Sequence, residues 1–203
     1  MLISIEGNIG SGKSTVVEYL KSLNKYIFVD EPVNEWLTIK DKDGMNALEC
    51  FYKDQKENAF CFQVLAYITR LKKLIDTIKN SPKDAIIITE RSIETDRNVF
   101  AKMLYEDNLI SSIEWETYNY WFNTFKDISQ VNKIIYIKTS PSKCLERINK
   151  RNRTEESSIK LDYLEKCCKY HNDWLDNIDN TTIDGHDSID IVRNKVIDIL
   201  DNL

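Results

Sequence analysis

The sequence predicts an α/β fold, a parallel sheet of about five strands with helices on both faces. Three observations predict it. Short apolar runs of strand length alternate with segments of helical spacing along 203 residues. One run, Ala85-Ile86-Ile87-Ile88-Thr89, is continuously apolar, as a strand buried on both faces should be. Between the first strand and the first helix lies Gly7-Asn8-Ile9-Gly10-Ser11-Gly12-Lys13-Ser14-Thr15, a full match to G-x-x-x-x-G-K-[ST] in its required context.

In chain order, Leu2-Ile3-Ser4-Ile5 is the first strand and Val16 to Leu23 an amphipathic helix. Lys25-Tyr26-Ile27-Phe28-Val29 is the second strand, closed by Asp30-Glu31-Pro32. Thr38 to Asn46 is polar loop, and Ala47 to Tyr52 a short helix. From Asn58 to Lys79, residues Phe62, Leu65, Ala66, Thr69, Leu71, Leu74, Ile75 and Ile78 keep helical spacing. A turn at Ser81-Pro82-Lys83-Asp84 leads into the apolar third strand. Helices are expected over Ser92–Tyr105 and Ile113–Ile128, then a strand at Lys133–Ile137. Helices at Ser142–Lys150 and Leu161–Asn177 flank a charged link, and Thr181–Asp184 and Ile189–Leu200 supply the last strand and helix. The length suits a single domain over residues 1–203, with the charged link as a lid at about 147–160.

The net charge of −5 argues against a general nucleic-acid or membrane-surface binder and favours a small substrate. No run approaches a transmembrane span, and Met1 leads almost directly into the first strand, so a cytosolic protein is expected. The five cysteines have no C-x-x-C spacing, and they read as reduced, mostly buried residues rather than disulfide partners or zinc ligands.

The glycine-rich loop identifies a nucleoside-triphosphate site. Its glycines let successive N–H groups point at phosphate oxygens, and the following helix adds its positive dipole end. Lys13 reaches the outer phosphates and the Ser14 hydroxyl joins a Mg²⁺ shell. Ligands of parallel sheets sit at strand carboxyl ends, which brings Glu31, Glu90-Arg91 and Thr139 toward this loop. Glu31 could take a proton from an attacking hydroxyl, and Glu90 stands where such enzymes place an acidic Mg²⁺ residue. Each also has a structural alternative: a solvated turn acid for Glu31, and an ion pair with Arg91 for Glu90. Arg147 and Arg151 lie at i and i+4 in the densest charge cluster, suited to a lid that clamps a migrating phosphoryl group, or to a solvated helix end. Gln63 could read a base edge, although a surface glutamine beside a core Phe62 is the commoner pattern.

Taken together, these segments resemble the deoxyribonucleoside kinases, in particular the deoxycytidine and deoxyguanosine kinase branch. The ordered matches are Gly7–Thr15, Glu31-Pro32-Val33 with Trp36, Phe62-Gln63, Glu90-Arg91-Ser92 with Asp96-Arg97, Arg147 through Glu156, and Leu161-Asp162-Tyr163-Leu164. The resemblance implies a P-loop kinase-like sheet with an arginine-rich lid, and ATP-dependent phosphorylation of a deoxynucleoside in nucleotide salvage. It implies Glu31 as general base on the sugar 5′-hydroxyl with Arg91 beside it, and Glu90 with Ser14 on Mg²⁺. Gln63 would pair with the nucleobase between Phe62 and Phe100, with Val33, Trp36, Leu48, Phe51 and Ala66 walling the pocket. Tyr52 and Glu156 would bind the sugar 3′-hydroxyl, and Arg147, Arg151 and Arg153 would clamp the phosphates together with Lys13. The ATP adenine would lie near Asp184-Gly185-His186. A homodimer through the two long helices is implied as well.

Ala66, Arg70 and Asp96 resemble the deoxycytidine/deoxyguanosine branch. An Asp96 carboxylate accepts from the amino group of cytosine or adenine, whereas thymine presents a carbonyl there. Arg70 could hold Asp96 or donate to guanine, and a purely structural Arg70–Asp96 ion pair is the alternative. Deoxycytidine and purine deoxynucleosides are therefore expected over thymidine. The rival readings are a thymidylate-like monophosphate kinase, a non-catalytic nucleotide-binding scaffold, and a GTPase-like switch. For the switch, Asn132-Lys133-Ile134-Ile135 lacks the Asp that a guanine motif requires.

Overall fold

A computed structural model of the chain describes residues 1–153, 156 and 159–203. Its centre is a five-stranded parallel sheet of order β2-β3-β1-β4-β5, from Leu2–Glu6 (β1), Ile27–Val29 (β2), Ile87–Glu90 (β3), Lys133–Lys138 (β4) and Thr181–Asp184 (β5). β1 is buried along its whole length because it lies between β3, with Ile5 opposite Glu90, and β4, with Glu6 opposite Tyr136. The carboxyl ends of β1 and β3 thus lie side by side, which brings the phosphate loop against Glu90 and Arg91.

Alternation along the strands divides the core between two faces. Ile3, Ile5, Ile88, Ile135 and Ile137 pack with Val16, Val17 and Leu20 of α1 (Lys13–Ser22) and with Val192, Val196 and Leu200 of α10 (Ile189–Asp201). On the other face, Leu2, Val29 and Ile87 meet Leu74 of α4 (Gln55–Asn80), and Ile134 and Tyr136 meet Leu175 of α9 (Leu161–Leu175). Each such aliphatic side chain contributes about 1.5–3 kcal/mol on full burial.

A short helix without a signature in the sequence, α2 (Val33–Thr38), follows Pro32. Six residues are too few to show a helical period, and the helix is anchored tertiarily, by Trp36 Nε1 donating to Thr69 at 3.0 Å. Next come α3 (Ala47–Lys53), opened by an Asn46/Glu49 capping box, and α4, which begins at Gln55, three residues before Asn58, because Asp54 caps it through Glu57 N–H. The helix expected over Ser92–Tyr105 runs as α5 (Ile93–Thr95), a π-helical segment (Asp96–Ala101) and α6 (Lys102–Glu106). Such wide turns cluster at functional sites, and this one carries Asp96 and Phe100. α7 (Ser112–Phe125) starts at a Ser111/Glu114 capping box and ends before the expected Ile128. α8 (Pro141–Arg151) starts at a Ser140 cap and stops at Asn152, whose φ is 50°. Residues 154, 155, 157 and 158 of the expected lid lie outside the described residues. Among the described residues no helix is long and apolar enough to cross a membrane.

Candidate active site

A cavity of about 920 Å³ opens at the carboxyl ends of β1 and β3. Its floor is the phosphate loop. Gly10 sits at φ +77°, where an added Cβ would lie 2.6 Å from the Cys144 carbonyl oxygen, so only glycine lets the loop pass α8. Thr139 and Arg147 both donate to the Ser11 carbonyl, at 3.2 and 2.8 Å, and Arg147 also donates to Gly185 O at 2.8 Å. Arg147 therefore straps the loop to the turn after β5. Lys13 is buried and donates to Asn8 O at 2.7 Å. Loss of water around it, with Arg91 close by, lowers its pKa to about 8. Ser14 Oγ donates to Glu90 Oε1 at 2.8 Å.

Beyond the loop, the ends of β2 and β3 meet α4. Glu31 Oε1 accepts from Arg91 at 2.8 Å and from Arg70 at 3.1 Å. Burial alone would raise the Glu31 carboxyl, but Arg91, Arg70 and Lys13 outweigh it and hold it at about 2. Arg70 is wholly enclosed. Its Nε donates to Asp96 at 2.8 Å and its NH1 to the Glu90 carbonyl at 2.7 Å, so one guanidinium ties β3, the π segment and Glu31 together. Arg91 also lies over the Phe100 ring, 5.3 Å from its centroid. Burial raises the Asp96 carboxyl above its ordinary range despite Arg70.

The far wall is aromatic. Phe62 stacks on Phe51 at 4.7 Å and meets Trp36 edge-on at 5.4 Å. Val33, Leu48, Tyr52 and Ala66 complete this wall. Gln63 faces the same space rather than the surface. It is 3% exposed, and its Oε1 has no partner among the described residues. A buried amide oxygen without a partner is costly unless something else satisfies it, and Gln63 lines the same cavity as Asp96. At the rim, Arg151 Nε donates to Glu156 at 2.8 Å, and Arg153 lies 3.9 Å from the same carboxylate.

A family model described as "Deoxynucleoside kinase" matches residues 3–202. The chain is 37% identical to the "Deoxycytidine kinase" of Homo sapiens, over 85% of this chain and 74% of that protein. It is 40% identical to a "Probable deoxycytidine kinase" of fowlpox virus (85% and 71%). It is 34% identical to a "Deoxyguanosine kinase, mitochondrial" of Xenopus laevis (85% and 72%). The chain belongs to the deoxynucleoside kinase family.

In this deoxynucleoside kinase the cavity gathers most residues singled out from the sequence: Ile9 to Thr15, Glu31, Arg70, Glu90, Arg91, Asp96, Phe100, Arg147, Arg151 and Arg153. Gly7 and Asn8 are behind it, where Asn8 Nδ2 holds the Leu164 carbonyl at 2.8 Å. Of the residues expected near the adenine, only Gly185 lines the space. Asp184 and His186 turn away and pair with each other at 2.8 Å, while His186 Nε2 meets Ser140 Oγ at 2.9 Å. Asp187, Ile189, Val192 and Arg193 line the cavity there instead. Their position just past a strand end was the available signal, but the side chains are ordinary.

Ser14 and Glu90 offer a hydroxyl and a carboxylate 2.8 Å apart beside the phosphate loop. Two hard oxygen donors fit Mg²⁺, which takes one or two protein ligands and completes its shell with water and phosphate.

Proposed function

We propose that this kinase transfers the γ-phosphoryl group of ATP to the 5′-hydroxyl of a deoxyribonucleoside, with deoxycytidine and purine deoxynucleosides preferred over thymidine. The carrying observation is Glu31, an acceptor carboxylate between the phosphate loop and the aromatic slot, ionised at neutral pH and held by Arg91 and Arg70.

The nucleoside lies with its base between Phe62 and Phe100 and its 5′-hydroxyl on Glu31. Gln63 and Asp96 meet the base edge, and Tyr52 and Glu156 meet the 3′-hydroxyl. The 5′-oxygen bonds to the γ-phosphorus as the bond to the β,γ-bridging oxygen breaks, and the hydroxyl proton passes to Glu31. Protonation neutralises Glu31 and loosens its hold on Arg91, freeing that guanidinium for the phosphoryl oxygens. Lys13 and the phosphate-loop N–H groups hold the departing ADP, and Arg147, Arg151 and Arg153 close over the transferred group and exclude water. Ser14 and Glu90 would hold Mg²⁺, which would supply positive charge to offset that of the phosphates.

We read residues 1–203 as one kinase domain with its lid at about 147–160. The five free cysteines suit a reducing cytoplasm. A homodimer through α4 and α7 is supported by Ile113 and Tyr120, each 72% exposed on α7, beside exposed Trp121.

Phosphorylation of deoxycytidine, deoxyadenosine, deoxyguanosine and thymidine, each at equal concentration with Mg-ATP, tests the assignment. Glu31→Gln should lower kcat by roughly 100-fold or more while ATP still binds. Turnover of a deoxynucleoside monophosphate, with no nucleoside turning over, would overturn the reading.

A further inference from the structure

One buried carboxylate close to the reacting groups has no part in the mechanism above. Glu6 closes β1, has no solvent exposure and forms no ion pair among the described residues. Three hydroxyls stand in for water around it. Oε1 accepts from Ser4 and from Ser92, the latter at 2.8 Å, and Oε2 accepts from Thr95. A buried carboxyl group satisfied by hydroxyls, at the cost of ordering them, persists where those bonds hold something in place.

What they hold is the turn after β3. Arg91 sits in the left-handed region at φ +60°, a conformation that a long side chain adopts only under constraint. Its N–H donates to Ile5 O at 3.1 Å, and its carbonyl accepts from Thr89 Oγ1 at 2.7 Å. On the next residue, and at the end of the following helical turn, Ser92 and Thr95 are tethered to Glu6. The strained residue is thus pinned from both sides to the end of β1. Its side chain is the one that meets Glu31 at 2.8 Å.

We propose that Glu6 is a positioning residue for phosphoryl transfer: through Ser92 and Thr95 it fixes the strained turn that aims Arg91 at Glu31. This rests on the roles given above to Glu31 and Arg91. Glu6→Gln preserves shape but replaces one acceptor oxygen with a donor amide, so at least one of the tethering hydroxyls loses its acceptor. Misaiming the pair affects the transition state more than substrate binding.

The experiment measures kcat and both KM values with ATP and deoxycytidine for four proteins: the unaltered enzyme, Glu6→Gln, Arg91→Ala and the double variant. Glu6→Gln should lower kcat by roughly 10- to 100-fold, with each KM within about twofold. In the Arg91→Ala background the same change should move kcat by less than about twofold, because the group it positions is gone. If Glu6→Gln does not fold, Ser92→Ala and Thr95→Val each remove one tether and should give the same pattern at smaller amplitude. Unchanged kcat in a folded Glu6 variant would overturn the proposal. So would an equal kcat loss with and without Arg91, the signature of a general structural effect. Absence of nucleoside turnover in the unaltered enzyme would overturn the underlying functional reading, and the proposal with it.

Discussion

Replacing Arg70 with methionine tests the most heavily bonded side chain of the site. Arg70 is 2% exposed and pairs with Asp96, whose side chain is 4% exposed, at 2.8 Å. Methionine fills much of the same volume but leaves Asp96 as a buried carboxylate without its cation. Breaking such a pair costs about 3–5 kcal/mol. Glu31 adds less, because it keeps Arg91 and is 20% exposed. The loss should depend on pH. Burial already raises the Asp96 carboxyl, and removing Arg70 raises it further. The folded variant then binds a proton that the unfolded chain does not, so its stability rises as pH falls, by at most about 1.4 kcal/mol per unit. Urea unfolding at pH 7 and pH 5.5, followed by tryptophan fluorescence, measures both effects. The variant should lose about 3–5 kcal/mol at pH 7 and visibly less at pH 5.5, and Arg70→Met/Asp96→Leu should regain at least half of the loss. A single variant within about 1 kcal/mol of the unaltered protein at pH 7 would refute this account of a buried pair. So would a double variant no more stable than the single one. The same double variant should raise thymidine turnover relative to deoxycytidine, and no relative gain would remove Arg70 and Asp96 from substrate choice.

His171 is buried with its Nδ1 at 2.7 Å from Cys167 O, its Nε2 without a partner among the described residues, and its pKa pushed by burial down to about 3. The unfolded chain therefore takes up a proton below pH 6.5 that the fold refuses until about pH 3. Stability should fall with acid across that window by up to about 1.4 kcal/mol per unit, and His171→Phe should flatten this slope in urea titrations at pH 7, 6 and 5. Gly185→Ala would place a Cβ 1.9 Å from Thr139 Oγ1 and should destabilise the fold by about 1–3 kcal/mol while raising the KM for ATP. Adding Thr139→Ala should recover part of the stability, and no recovery would exclude the clash as the cause. The Tyr118 hydroxyl is buried with no partner among the described residues, so Tyr118→Phe should be neutral or stabilising by up to about 1 kcal/mol, read as a shift in thermal midpoint.

Features set by local chemistry were readable from the residues alone. The five strands, the phosphate loop and the strand-end carboxylates follow from apolar runs and from a motif whose glycines admit few backbone paths. That is why the sequence alone brings Glu31, Glu90 and Arg91 toward the phosphate loop. Helix ends shifted by a few residues because caps such as Asp54 and Ser111 act through single hydrogen bonds that periodicity does not register.

Other features exist only in three dimensions. Nothing local distinguishes a Gln63 facing the cavity from one on the surface, because the direction of a helix face depends on what packs against it. The π turn at Asp96 and the left-handed Arg91 are conformations that their residues do not prefer, imposed by contacts with Arg70, Ile5 and Thr89. Glu6 carries no signal in the sequence; its setting comes from three hydroxyls, on two segments of the chain, that close around it. The sequence by itself determined the fold class and the chemistry at the strand ends, because both depend on short-range pattern. The tertiary structure decided which side chains share a buried space, and with it the aim of Arg91 and the charge state of Glu31, because burial and pairing arise between segments far apart in the chain.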